Sequence, residues 1–309
     1  MIKAYKRTIK EGRFEEINDV KDFSSGSWIN VVNPTVEELE DVFRIVGIGR
    51  ENIENVLDEN ETARLEKDGK NLLIYVRVPS SAEQEVNTTP ITIILNKAFL
   101  VTISIYEHKI FNKFLDGSVE FFTTQKSKLL INFFLQIVER YEKHIRAISK
   151  KVVGKKGKLN NLRNEDIVNL VEIEEDLNDF IASLVPNINV FEKILTGRYI
   201  KLYEEDQELV QDLLIDAKQV LDLCKTNIKN IINIRGAYST IISNDLNKTM
   251  KFLASITVIL TVPTIIASIF GMNVSLPLAD SPLAFVAIMA VTVSLIFTLY
   301  FLFIKRRWL

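Results

Sequence analysis

A single cysteine among 309 residues, Cys224, excludes an internal disulfide and any multi-cysteine metal site. It falls at an apolar helical position, so packing is its expected role. Histidine is as scarce, and His108 and His144 stand apart from any second ligand at metal spacing, which makes them structural or surface residues. No glycine-rich phosphate loop, nucleophile elbow or Ser/His/Asp order occurs. Enzyme chemistry therefore has no visible home, and no organic cofactor is implied. Lys and Arg are interspersed with Asp and Glu, for a formal net charge of -2, which gives no footing for nucleic acid. Residues 1–17 alternate charged and apolar side chains without a continuous apolar core, so no signal peptide is expected there.

Charge is missing from one long region. Between Phe252 and Ile304 the only charged side chain is Asp280. Segments 253–273 and 283–304 are thus candidates for crossing a membrane, since a helix rising about 1.5 Å per residue spans a bilayer core in about 20 residues. Lys248 and Lys251 precede the first span, Lys305, Arg306 and Arg307 follow the second, and the connection 271–282 has no basic residue. Positive flanks place both termini in the cytoplasm and the short loop outside. Trp308, beside the basic cluster, suits the membrane interface.

The first span carries a thin polar stripe. Thr257, Thr261, Thr264 and Ser268 follow at spacings of four, three and four, which puts four hydroxyls on one helical face. The same rhythm reaches back to Ala254, Met250 and Asn247, and forward to Gly271. Two readings stand open. Small hydroxyl residues let membrane helices pack closely, or the stripe lines a watery path, which requires several copies around an axis.

The rest of the chain reads as an α+β soluble domain with a long helical stalk. Residues 1–117 form a mixed α/β domain: strands at 1–7 and 28–32, a helix opened by Thr35 and Glu38 as a capping box and ended by Gly47 and Gly49, and a short helix at 51–57. A hairpin then turns at Asp68-Gly69 between 63–67 and 71–78, and two strands, 89–95 and 98–105, turn at Asn96-Lys97. Ile91, Ile93 and Leu95 give this sheet a buried face. Residues 118–202 are helical: one helix at 127–152, a break at 154–158, and a second helix at 164–195 that Pro186 kinks and Thr196-Gly197 ends. Its acidic run, Glu172, Glu174, Glu175, Asp176 and Asp179, is a solvated face or a cation-attracting one.

From 203 to 270 only Gly236 and Pro263 interrupt helical character, a rod on the order of 100 Å. Along it Val210, Leu213, Ala217, Val220, Cys224, Asn227, Ile231, Ile234, Tyr238 and Ile241 alternate by three and four as a coiled-coil seam. The seam pairs with its own chain's helices or with copies of itself. Gly236 permits a close crossing, the favoured reading, or marks a flexible point. Asp212 and Asp216, one turn apart, form a solvated pair or a divalent-cation site between subunits.

Phe270-Gly271-Met272-Asn273, at the outer end of the first span, resembles the signature of the CorA-type magnesium and cobalt transporters. The order of parts is similar along the whole chain, down to the ending Lys305-Arg306-Arg307-Trp308-Leu309. The resemblance implies a funnel-shaped homo-oligomeric channel, a pentamer, in the plasma membrane. Stalk and first span make up 203–270, the external loop 271–282, the second span 283–304 and the tail 305–309. Mg²⁺, with Co²⁺ or Ni²⁺ as further cargo, would be taken up along the membrane potential and gated by cytoplasmic Mg²⁺. It places Gly271, Met272 and Asn273 at the outer mouth, Thr261 and Thr264 on the pore wall beside Thr257 and Ser268, Met250 and Leu253 at an apolar constriction, and Asn247 at the inner end. Asp212 corresponds to a regulatory carboxylate, with Asp216 beside it. Two departures stand out: the outer loop has Asp280 as its only acid, and it comes late, while Glu83 is the nearest substitute for the α/β domain's partner acid. A zinc-translocating relative, proton-coupled, is the rival within transport, and Met272 speaks against it. A membrane-anchored structural or sensor protein is the rival from another class.

Overall fold

Strands rich in Val, Ile and Leu assemble one seven-stranded mixed sheet in the order β2-β1-β3-β7-β6-β5-β4. The computed structural model describes residues 1–9, 14–19, 22–80, 88–157, 159, 162–274 and 283–308. They fall into two units, Met1–Asn233 and Ile234–Leu309.

In the first unit the strands are β1 (Ile2–Lys6), β2 (Glu15–Ile17), β3 (Trp28–Val32), β4 (Arg64–Asp68), β5 (Asn71–Pro79), β6 (Thr88–Leu95) and β7 (Leu100–Ser104). All neighbours are antiparallel except β3 and β7, which run parallel. The hairpin at Asp68-Gly69 forms as expected, with Gly69 at φ +56 and Asp68 opposite Asn71. Strand β2 and the short helix α3 (Asn112–Leu115) had no signal in the sequence pattern.

Each face of the sheet is covered. On one side lie α1 (Val36–Val46) and α2 (Ile53–Leu57), whose Leu39, Val42, Phe43, Ile53 and Val56 pack on Ile29, Val31, Leu73, Tyr75, Ile94 and Val101. The capping box is present: Glu38 N donates to Thr35 Oγ1 at 3.2 Å and Thr35 N donates to Glu38 Oε2 at 3.0 Å. On the other side Trp28 gathers Phe111, Phe114, Phe121 and Phe133 around its ring, and its Nε1 donates to Thr102 Oγ1 at 2.9 Å.

Helices α4 (Lys126–Lys156) and α5 (Asn164–Leu195) carry this second layer. The break expected at 154–158 falls inside that segment: α4 takes in Gly154, runs on to Lys156 and is capped at Gly157. An exposed glycine costs a helix only about 1 kcal/mol, and buried Val152 holds that last stretch in place. Pro186 sits inside α5, which continues past it to Leu195, beside buried Leu184, Asn187 and Ile188.

One polar clasp ties α4 and α5 to the sheet. Strand β4 stops at Arg64, opposite Tyr75, so Arg77 further along β5 has no strand partner on that side. Asn187, fully buried, takes its place. Its Oδ1 accepts from Arg77 N at 3.0 Å and its Nδ2 donates to Arg77 O at 2.8 Å, while Tyr141 OH donates to the same carbonyl at 3.1 Å. The Arg77 guanidinium turns back to Thr88 O, Glu59 O and Glu61 O.

Helix α6 (Glu204–Phe270) begins in the first unit and ends in the second. Its seam is buried from Val210 to Ile231 within the first unit; in the second unit Ile234 is buried and Tyr238 and Ile241 are half-buried. The seam is therefore filled by the chain's own residues, and Asn227 is satisfied by donating to Leu223 O at 2.8 Å. Cys224 packs there, its thiol pushed up to about 12 by burial. The second unit is completed by α7 (Ala284–Lys305).

Two measurements check this account. Asn187→Ala strands the buried Arg77 N–H and takes one of two donors from its carbonyl, which Tyr141 OH still serves, and should lower the unfolding free energy by about 1–3 kcal/mol; a change within error would mean that the clasp is ornamental. His108, buried against Thr89, is held neutral: desolvation first, then nearby Arg140, push its pKa down to about 4. That lies below the unfolded value of about 6.5, so the unfolded chain takes up the proton first. Stability should be full above about pH 6.5 and fall by about 3 kcal/mol toward pH 4. In His108→Gln that slope should flatten, read from the thermal midpoint by tryptophan fluorescence.

Candidate functional site

The second unit consists of two helices long and apolar enough to cross a membrane, α7 and the end of α6. What each shows to its partner and what it leaves open follows from burial. On α7 the covered positions are Ala284, Ile288, Thr292, Ile296, Leu299 and Phe303, spaced by three and four along one face. Phe303 also stacks on Trp308 at 5.7 Å. On α6 the covered positions are Ser255, Ile256, Ile259, Val262, Pro263 and Ile266. Ser255 is fully buried and its Oγ donates to Lys251 O at 2.7 Å. These two faces are the backs of a helical hairpin.

The hydroxyl stripe lies on the other side. At about 100° per residue, Thr257, Thr261, Thr264 and Ser268 sit about 180° from the covered face, and all four are exposed. Each threonine hydroxyl spends its proton within the helix: Thr257 donates to Leu253 O at 2.9 Å, Thr261 to Thr257 O at 2.7 Å and Thr264 to Leu260 O at 3.1 Å. The hydroxyl oxygens keep lone pairs free for an outside donor. The stripe thus offers a column of neutral acceptors and does not pack against α7. Sequence periodicity found this face but missed its counterpart, although the offset of Ser255 from the stripe was a usable signal.

The stripe continues in both directions. Asn247, Met250 and Leu253 are exposed, Met250 and Leu253 each at 58%. Helix α6 ends at Phe270, and the chain turns off it with Gly271 N donating to Ala267 O at 2.9 Å and Met272 N to Ile269 O at 3.3 Å. A Cβ on Gly271 would come to 3.1 Å from Ala267 O, a tight approach that glycine avoids. Met272 and Asn273 are exposed beyond it.

The remaining candidates are not brought together. Asp212 and Asp216 are both exposed on one face of α6, and neither is bonded to another described residue. Among the described residues no group of three or more His, Cys, Asp or Glu is assembled for a metal. Glu83 and Asp280 lie outside the described residues.

Comparison with known proteins adds to this geometry. The model of the family "CorA-like Mg2+ transporter protein" matches residues 24–306. The cobalt/magnesium transport protein CorA of Methanocaldococcus jannaschii is 27% identical over 294 residues, 91% of either chain. The magnesium transport protein CorA of Wolinella succinogenes is 24% identical over 277 residues, 84% of either chain. Among solved structures, the complete CorA magnesium transporter from M. jannaschii superposes with a TM-score of 0.89 at 24% identity, covering 100% of this chain and 99% of that one.

Proposed function

The chain belongs to the CorA-like Mg²⁺ transporter family, and from that premise we propose that it forms a homo-oligomeric channel for regulated Mg²⁺ uptake across the cell membrane. The observation that carries the reading is the uncovered hydroxyl stripe on the face of α6 opposite its covered side. One helix cannot enclose a path. Several copies, five in the assembly proposed, with α6 inward and α7 outward, would bring the stripes around a common axis.

In that arrangement Thr257, Thr261, Thr264 and Ser268 line the path with neutral oxygens. Mg²⁺ is small and hard and sheds its waters reluctantly, so acceptors that bond to its water shell avoid the dehydration cost. Asn273, exposed past the helix end, would set an amide ring at the outer mouth, held there by the tight turn at Gly271 and Met272. Asp280 would attract cations outside. An inside-negative potential drives entry by about 2.3 kcal/mol per charge per 100 mV, doubled for a divalent ion. Met250 and Leu253 would narrow the inner end above Asn247. The names of both curated relatives include magnesium and one adds cobalt, which supports Mg²⁺ as the main cargo and Co²⁺ as a second, ahead of Zn²⁺. Asp212, with Asp216 on the same face and Glu83 from the α/β domain, would bind cytoplasmic Mg²⁺ between subunits and hold the path shut.

Mg²⁺ flux into liposomes under an imposed potential tests this. Asn273→Ala should abolish flux with assembly intact, and the triple change Thr257→Val, Thr261→Val, Thr264→Val should cut it at least about tenfold, one lost acceptor ring being worth roughly 1 kcal/mol. Wild-type flux in both variants would leave the hairpin a mere tether. A separate prediction concerns gating. Asp212→Ala should keep its flux when internal Mg²⁺ is raised to a level that closes the wild type, and an unchanged inhibition curve would remove Asp212 from the regulatory site.

A further inference from the structure

One end of the sheet gathers positive charge in a cleft of its own; the carboxylates nearest to it in the same region, Glu204, Glu205 and Asp206, line the adjoining concavity that shares Lys126, Ser127 and Lys201. The β4–β5 hairpin brings Lys67 and Lys70, the β6–β7 turn Lys97, the start of α4 Lys126, and the link from α5 to α6 Arg198 and Lys201; together they line a cleft of about 460 Å³. No Asp or Glu lines it among the described residues. In a chain with 38 basic and 40 acidic residues, that is a local reversal of the overall balance, and it focuses a positive field into one concavity. Lys67 lies on the edge strand β4, where lysine also blocks further strand pairing. The other five have no such duty. Lys70, Lys97, Arg198 and Lys201 are exposed and form no ion pair with a described residue.

The cleft is held in shape by its own turns. Asn96 donates to Asn71 Oδ1 at 3.0 Å and to Val46 O at 3.1 Å, accepts from Phe99 N at 2.7 Å, and Asn71 donates to Gly47 O at 2.8 Å. Half-buried Lys126 donates to Asn96 O at 2.9 Å and to Lys97 O, which fixes its ammonium in place. A second feature points the same way. The first turn of α4 has no side-chain cap and no acidic residue of its own, so its N–H groups and the positive end of the helix dipole add to the positive field of the cleft. Lys126 and Ser127 place that turn in the cleft wall, and Tyr199, 43% exposed, offers a ring beside it.

We propose that this cleft binds a linear polyphosphate, free or carried by a nucleotide. Six cations from four chain segments exceed what one phosphate group can meet, and a chain of phosphates reaches several of them through charge-assisted hydrogen bonds. The volume is that of a small-molecule site. The binding is independent of the permeation reading and is measured without transport. Calorimetry on the full-length protein in detergent, in buffer free of phosphate and magnesium, should show saturable binding of tripolyphosphate that weakens as salt rises. Lys70→Glu with Arg198→Glu should lower the affinity by about tenfold or more. Lys150→Glu with Lys151→Glu, the same change in net charge elsewhere on α4, should leave it unaltered. ATP separates the sources: affinity equal to tripolyphosphate assigns the phosphate chain alone, and tighter ATP binding that Tyr199→Ala removes assigns a nucleotide, both in keeping with the site. Absence of saturable binding by either probe, or an equal loss in the two double variants, overturns it.

Discussion

Every polar group on a helix in hydrocarbon must find its partner within protein or water, and the second unit is organised by that demand. Its helices satisfy their own backbones, and Thr257, Thr261 and Thr264 return their protons to carbonyls four residues back. What survives is a set of acceptors without donors, all on one side of α6. The opposite side is closed by apolar side chains with a single serine, Ser255, already satisfied by Lys251 O. A row of bare acceptors facing lipid would be poorly solvated. Water, or a hydrated cation, is the donor that such a row suits.

The same accounting shapes the first unit by other means. There an early strand end leaves Arg77 exposed to the interior, and a carboxamide on α5 completes what a strand would have supplied. Trp28, Thr102 and Asn30 form a second closed chain, with Thr102 Oγ1 donating to Asn30 Oδ1 at 2.8 Å. These bonds join elements remote in sequence. They make α4 and α5 part of the sheet's second layer, and the buried face of α6 has a fixed surface to lie on.

Local patterns were legible in the sequence where one segment holds all the information. The capping box at Thr35 and Glu38, the hairpin at Asp68-Gly69, the seam from Val210 to Ile234 and the hydroxyl stripe each depend on spacing within one element. Features set by distant partners were not legible. Nothing near Asn187 says that β4 ends short of Arg77, and nothing near Glu15 says that β2 will find the edge of β1. The end of α4 was legible only as the glycine-and-lysine segment 154–158; that the helix passes Gly154 and caps at Gly157 depends on propensity and burial together. The seam's ambiguity between self and copy had the same origin, since periodicity reports that a face is buried and is silent on what buries it. For the stripe, spacing gave the face, and only the position of the covered residues gave its direction.

That the seam is filled from within the chain changes how an assembly can be held. Copies cannot use Val210 to Ile231, so they must meet on surfaces that one chain leaves open. Below the hydroxyls, the same face of α6 carries Ile242, Leu246, Met250 and Leu253, exposed at 50%, 62%, 58% and 58%, at spacings of four, four and three. Large apolar side chains left uncovered in an ordered row mark an interaction surface. Under the proposed assembly this row and the stripe form one continuous inner wall, apolar near the cytoplasm and polar toward the outer mouth. Water enters the polar part readily and the apolar part only when it is wide enough to wet. A small spreading of the helices at Met250 and Leu253 would then open the path without disturbing a single hydrogen bond of the hydroxyl column.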